Sequence, residues 1–377
     1  MRRLLPSAAK TKTMKPNLGI LLNLGDSFTI YKKSGRDTHW LNNYLNYYPQ
    51  SFNLPLVFSY KNEPNPFPEL INLMPNRTSL PRFIYTFLIP FTYFKQLKSC
   101  QVLRVKQMPG VWPALIAKLF WRLPIISTYG YDYSFFAKKE GHRLILPFIK
   151  LTEKLGLRFS DKVIVTNQEM YDKASRAISK NKLSLIPNGV DTVLFKPKNR
   201  EKHEAIEIVS IGRLVYQKNF TNLITAVAKL KSEKPIKLSI LGRGPLKSKL
   251  IEKARELKVD LTIIDALSHE KIPQFLNSAD IFIMASHHEG SPKALLEAMS
   301  CGLPCVVNDQ DYSRFIINSG KDGLLVTDFR AGLQQLINQP ALANKLGLKA
   351  RQTILSRFNN QTIIKQEISL LKSVIND

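Results

Sequence analysis

Residues 285–308 read ASHHEGSPKALLEAMSCGLPCVVN, and their punctuation predicts a strand end, a loop, a helix and a new strand. Ser291 suits the cap of that helix, and Pro292 suits its first position, where a missing N–H costs nothing. Leu295, Leu296 and Met299 recur at helical spacing and predict a buried face, whereas Gly302 and Pro304 stop the helix before a strand resumes at Cys305. Glu289 then lies in the loop and Glu297 about two turns into the helix. Unbonded N–H groups at the helix start, the positive end of its dipole and the neighbouring Lys293 suit an anion such as a phosphate. Ser-Pro starts and glutamates are also common in ordinary helices of α/β proteins, so local physics leaves a purely structural helix open.

The surrounding chain alternates in the same way. Apolar runs at 18–23, 54–60, 102–105, 124–127, 162–166 and 183–186 are separated by helical intervals. A second series follows at 206–211, 237–241, 261–264, 281–284, 305–308 and 324–326. Short continuous apolar strands between helices predict α/β architecture, with parallel sheets covered on both faces and ligands at the carboxyl ends of the strands. From Asp328 onward the pattern is helical, and the last helix is expected over 359–375. Between the two series, Ile186-Pro187-Asn188-Gly189-Val190-Asp191 leads into the charged stretch KPKNREKHE at 196–204, which places a domain boundary near 190–203.

Several strand ends carry polar groups of chemical interest. Gly212-Arg213-Leu214 with Lys218 follows the first strand of the second series; a forked guanidinium and a point charge there suit a diphosphate, although a solvated loop has the same composition. Gly242-Arg243-Gly244-Pro245 follows the next strand, with Lys247 where a dinucleotide fingerprint needs its third glycine, so hydride transfer is disfavoured. In the first series, Gly25-Asp26-Ser27 and Lys32-Lys33-Ser34-Gly35-Arg36 compose a polar loop suited to a phosphorylated ligand or simply to solvent. Tyr129-Gly130-Tyr131-Asp132-Tyr133 follows another strand. His287 and His288, adjacent on an extended segment, point to opposite sides and do not suggest a metal site, and no D-x-D run occurs. The three cysteines show no disulfide or metal spacing and fit a reducing compartment. No metal and no resident cofactor are expected.

Glu289, Gly290, the Ala294–Ala298 run and Gly302-Leu303-Pro304 resemble the E-x7-E donor-site signature of the family 4 retaining glycosyltransferases. IPNGVD, GRL with its following lysine, and G-x-G-P are similar to further landmarks of that family, and the resemblance spans about residues 100–357. It implies the GT-B architecture, two doubly wound Rossmann-like domains facing across a cleft. Residues 1–17 would be a basic N-terminal stretch, 18–195 the acceptor-binding domain, 204–358 the donor-binding domain and 359–377 a helix crossing back to the first. The implied reaction is metal-independent transfer of a hexose-type sugar from a nucleotide-diphosphate sugar. Arg213 and Lys218 would hold the diphosphate, Glu289 the sugar hydroxyls near the reacting carbon and Glu297 the ribose. Gly212, Gly242, Gly290, Ser291, Pro292, Lys293, Ala294 and Leu295 would complete the donor site. Tyr129 stands where the family has a histidine facing the reacting sugar, and it joins Glu289, Arg213 and Lys218 as a catalytic candidate. Residues 308–317 depart from the family's Gly-rich turn, so no donor contacts carry over there.

The net charge of +26 is uneven: residues 1–200 hold 31 Lys and Arg against 11 Asp and Glu, a balance of +20. Such a field attracts nucleic acid or an anionic membrane surface. The basic residues are dispersed and match no nucleic-acid-reading motif, so no nucleic-acid partner is expected. No apolar run reaches the roughly 18 residues of a membrane span, and the basic start lacks a signal peptide's apolar core. The aromatic run FIYTFLIPFTYF at 83–94, flanked by Arg82, Lys95 and Lys98, suits either a buried or an interfacial helix. With the acceptor domain carrying the positive field, the expected partner is an anionic membrane. The expected protein is cytoplasmic, peripheral on the inner face, and extends a lipid-linked saccharide or other cell-surface glycan. A catalytically silent sugar-nucleotide binder and a basic nucleic-acid-binding protein are the competing classes.

Overall fold

The computed structural model describes residues 15–33, 40–139, 141, 143–198 and 204–376. Most of the basic N-terminal stretch, Ser34–Arg36 and positions 199–203 of the connection lie outside them.

Thirteen strands among the described residues form two wholly parallel sheets. The first contains β1 (Leu18–Leu21), β2 (Leu56–Phe58), β3 (Asn72–Met74), β4 (Val102–Val105), β5 (Ile125–Tyr129), β6 (Lys162–Val165) and β7 (Leu183–Leu185), in the order β3-β2-β1-β4-β5-β6-β7. The second contains β8 (Ile206–Ile211), β9 (Ile236–Leu241), β10 (Asp260–Ile264), β11 (Ile281–Met284), β12 (Cys305–Asn308) and β13 (Leu324–Val326), in the order β10-β9-β8-β11-β12-β13. Chain order reverses between β1 and β4 and between β8 and β11. Those are the switch points where doubly wound sheets open a crevice. Every residue of β1, β4, β5 and β11 is buried, because helices cover both faces. β3 has no counterpart among the apolar runs: it is three residues long and lies in a segment broken by prolines at 64, 66, 68 and 75.

The last helix, Asn360–Asn376, leaves the second sheet and packs on the first. Its Ile363, Ile364, Leu371 and Val374 join the core of Leu18, Ile20 and Val102. The chain therefore crosses between the halves twice. The crossings lie side by side: Val190 pairs with Asn359 in parallel, its N–H donating to Phe358 O at 2.9 Å and its carbonyl accepting from Asn360 N–H at 3.0 Å.

A buried network clamps this helix. Glu367 receives Arg104 Nε at 2.8 Å and Nη2 at 3.2 Å, the Tyr48 hydroxyl at 2.6 Å and Lys106 Nζ at 3.2 Å. Burial alone would raise the Glu367 carboxyl, but the two cations and these hydrogen bonds hold it well below the usual carboxylate range. Two cations share one carboxylate, so the cluster keeps an excess positive charge. Burial, against the pull of Glu367, pushes the Lys106 ammonium down to about 7. Arg104 takes the bidentate grip and stays charged, which leaves Lys106 as the member that gives up its proton.

Candidate functional site

The carboxyl ends of the two sheets face each other across a cleft of about 960 Å³. A second hollow of about 1170 Å³, bordered by Ala205, Asp280 and Pro340, lies under the amino edge of the second sheet, away from the strand ends that bind ligands in such folds.

The second half supplies Gly212, Arg213, Lys218, the loop from Glu289 to Ala294, and Glu297 to the cleft wall. Glu289 is buried, and its carboxylate is ion-paired with Lys218 Nζ. Asn219 adopts a left-handed conformation just before the helix Phe220–Val227, which ends the turn that presents Lys218. Gln217 ties this turn to the next one: its Nε2 donates to His288 O at 2.7 Å, and its carbonyl accepts from His287 N–H at 2.9 Å. Arg213 is exposed, and among the described residues its side chain makes a long 3.5 Å hydrogen bond to Gln217 Oε1. Glu297 is buried, with its Oε1 3.4 Å from His269 Nε2.

The Glu289 loop is pressed against the first half. Asn167 Nδ2 donates to Gly290 O, and a Cβ on Gly290 would meet Gly130 O at 2.3 Å, so no other residue fits there without moving the halves apart. Ser291 Oγ accepts from Asn188 N–H at 3.3 Å, and its carbonyl accepts from Asn188 Nδ2 at 2.9 Å.

The first half contributes Asn23, Asp26, Lys106, Gln107, Tyr131 and Tyr133. Lys106 lies over the Tyr44 ring at 3.8 Å and near Trp40 and Tyr48, and Lys293 across the cleft is close enough to repel it. Asn23 Oδ1 and Gln107 Oε1 are buried acceptor atoms without a hydrogen-bond partner among the described residues. Ligand hydroxyls in the cleft would satisfy them.

Several expectations need correction. The helix runs Lys293–Ser300, so Glu297 is just past its first turn. Pro292, not Ser291, holds the cap position, and the Ser291 hydroxyl serves Asn188 instead. Tyr129 does not line the cleft: it is 1% exposed, packed with Met108, Leu157 and Val165 under the first sheet, and burial raises its phenol well above its ordinary value. The strand ends at Tyr129, and beyond it Gly130 and the bend at Tyr131 reach the cleft instead. Leu295 is wholly buried in the core. Gly242 does not line the cleft either; its glycine is required because a Cβ would fall 1.8 Å from Gly212 O. The polar loop expected over 25–36, suited to a phosphorylated ligand or to solvent, is partly the helix Phe28–Lys33, with 34–36 outside the described residues, and Glu63 accepts the N–H groups of Phe28 at 2.9 Å and Thr29 at 2.6 Å. An internal carboxylate thus holds the start of that helix. Within 308–317, Tyr312 is buried and donates to Ser286 O at 3.0 Å, and none of those residues lines the cleft.

His287 stacks on Tyr216 while His288 turns toward Phe135 and Phe136. Among the described residues, no three His, Cys, Asp or Glu side chains gather as metal ligands do. Lys106, Asn23 and Gln107 were missed by sequence reasoning, although their place at the ends of β1 and β4 was a usable signal.

Two family models match the chain: Glycosyltransferase Family 4 over residues 56–194 and Glycosyl transferases group 1 over residues 192–353. A glycogen synthase of Mycobacterium tuberculosis (strain CDC 1551 / Oshkosh) is 25% identical over 268 residues, which are 67% of this chain and 63% of that protein. The UDP-Gal:alpha-D-GlcNAc-diphosphoundecaprenol alpha-1,3-galactosyltransferase of Escherichia coli is 27% identical over 248 residues, 59% of this chain and 62% of that protein. Each alignment thus spans less than two thirds of the relative. Among solved structures, Anabaena HepE in complex with UDP-glucose superposes with a TM-score of 0.74 at 17% identity, covering 95% of this chain and all of that one, a likeness of fold.

Proposed function

Because this chain belongs to glycosyltransferase family 4, group 1, we propose that its cleft transfers a hexose-type sugar, with retention, from a nucleotide-diphosphate sugar to a lipid-linked saccharide. The observation that carries this reading is the convergence of Arg213, the Lys218–Glu289 pair and the Lys293 helix start on one wall of the cleft. When the bond between sugar and diphosphate breaks, the diphosphate keeps the bonding electrons and the sugar becomes oxocarbenium-like. Fixed positive groups at the phosphates therefore stabilise the transition state more than the ground state. Arg213, Lys218 and Lys293 would carry that charge without a divalent ion. Glu289, held by Lys218, sits at the cleft end of the loop, where it would orient the sugar. Glu297, beside His269, would hold the ribose.

The paired glutamates separate binding from turnover. Glu297→Ala is expected to raise the donor KM about tenfold or more with kcat little changed, as loss of uniform binding does, whereas Glu289→Ala is expected to lower kcat. Steady-state kinetics across UDP-sugars measure both, and unchanged kinetics in both variants would remove the assignment. Labelled donor incubated with lipid extract distinguishes an enzyme from a silent binder.

The acceptor side points to a membrane. The first half carries the +20 balance, and its helix Arg82–Thr92 buries Tyr85 and Ile89 while exposing Phe83, Ile84 and Phe91. No helix among the described residues is long and apolar enough to cross a bilayer. We therefore place the protein peripherally on the cytoplasmic face of an anionic membrane. The galactosyltransferase relative, whose name specifies a diphosphoundecaprenol-linked acceptor, supports this reading. Sedimentation with vesicles tests it: binding should require anionic lipid, weaken as salt rises, and fall when Lys95, Lys98 and Lys138 are neutralised, each contributing roughly 1 kcal/mol near such a surface. Equal binding to neutral vesicles would end the membrane claim and leave the transferase reading standing.

A further inference from the structure

Building on the lipid-linked acceptor proposed above, we infer that the acceptor's hydrocarbon chain enters a separate apolar pocket that branches from the cleft in the first half. This pocket holds about 200 Å³ and is lined by Leu24, Phe83, Met108, Pro109 and Phe148. Tyr133, Ile145 and Ile149 border both the pocket and the cleft, so the two spaces communicate. Two polar side chains at its wall, Thr152 and Glu153, are turned to partners of their own. Thr152 Oγ1 accepts from Trp112 Nε1 at 3.1 Å and donates to Phe148 O at 2.8 Å, and Glu153 accepts from Ser134 N–H at 3.2 Å. What faces the space is hydrocarbon, and an apolar chain is the ligand that such a wall favours.

The surface around the mouth matches the same occupant. Phe83 and Ile145 are each 54% exposed, and Leu144 is 98% exposed. The apolar surface continues outward through Phe91 and Phe120, whose rings meet at 6.0 Å, to Leu119, 79% exposed. Exposed apolar area of this extent marks an interaction surface. The helices that form it, Arg82–Thr92, Phe94–Lys98, Trp112–Trp121 and Leu146–Phe159, contain one acid, Glu153, and it is buried. Their exposed cations include Arg82, Lys95, Lys98, Lys150 and Lys154. Apolar side chains in a field of one sign complement an anionic bilayer. An amphiphile seated there places its chain in the pocket and its anionic head in the cleft, toward Lys106 and Lys293.

Calorimetric binding of decyl diphosphate and ethyl diphosphate, without vesicles and below the micelle concentration, tests the pocket without any acceptor sugar. Each buried methylene contributes roughly a fourfold factor, so burial of three or more makes the decyl compound bind about 60-fold or more tightly. Phe148→Glu is expected to reduce that preference to about threefold or less while UDP binding stays unchanged. Leu119→Glu, outside the pocket, should keep the preference and weaken vesicle binding. A preference below about threefold in the unmodified protein, or one that survives Phe148→Glu, overturns the inference. So does a dimer that dissociates in Leu119→Glu, with no chain-length preference, because a second copy then covers this face. Loss of UDP binding in the unmodified protein would instead count against the transferase reading, so the two failures are distinguishable.

Discussion

Arg213→Ala is expected to slow sugar transfer by about 10²-fold or more, the effect of removing one positioned charge donor from a developing anion. Its stability should change by less than about 0.5 kcal/mol, since the side chain is exposed and, among the described residues, its hydrogen bond is the long 3.5 Å one to Gln217. That separation makes the variant informative: a melting curve like the parent's together with a collapsed kcat assigns the loss to chemistry. Lys218→Ala should be as slow but less clean. It leaves the Glu289 carboxylate buried without its cation, so part of its effect will come from a displaced loop. Measuring kcat and donor KM for both variants beside thermal unfolding checks the prediction. An Arg213→Ala enzyme within about threefold of the parent would move the diphosphate elsewhere.

The second large effect lies far from the donor. Glu367→Ala is expected to cost about 3–5 kcal/mol, because it strands Arg104, 3% exposed, as a buried charge without its carboxylate. Denaturant unfolding measures this, and a loss below about 1 kcal/mol would show that water or rearrangement satisfies Arg104. The pH dependence has a defined sign. Glu367 has a depressed folded value, so its contribution is complete above its unfolded value of roughly 4.3 and is lost as pH falls below it. Lys106 acts in another window. With a folded value of about 7 against roughly 10.4 unfolded, the folded state binds fewer protons between those limits, and this group's contribution rises with pH there.

The sheets were legible because parallel strands covered on both faces are largely apolar runs, and β4, β8, β11, β12 and β13 fall on the runs read from the sequence. What failed was information that lies between distant residues. Lys106 and Glu367 are 261 positions apart, and nothing local in either segment announces that they share a site. Glu63, 35 residues beyond Phe28, takes the N–H groups at the start of a helix lying in a stretch that the sequence offered only as a polar loop. The Ser291 hydroxyl was claimed by the helix it precedes in sequence, but tertiary contact gave it to Asn188, 103 positions away. Tyr129 is a different kind of miss. Its neighbours Gly130 and Tyr131 reach the cleft, and a resemblance locates a segment more reliably than it aims a side chain.

The pairing of Val190 with Asn359 sets how the halves can move. A single connection would act as a tether, with freedom to twist, tilt and slide. Two connections hydrogen-bonded side by side act as the pin of a door. Rotation about that pin is the motion that leaves both connections intact, so opening reduces to about one degree of freedom. The contact of Gly290 with Gly130, and the Asn188–Ser291 bonds close to the pin, then return to register at each closure. The donor wall and the acceptor wall meet in one repeatable alignment, without an orientational search.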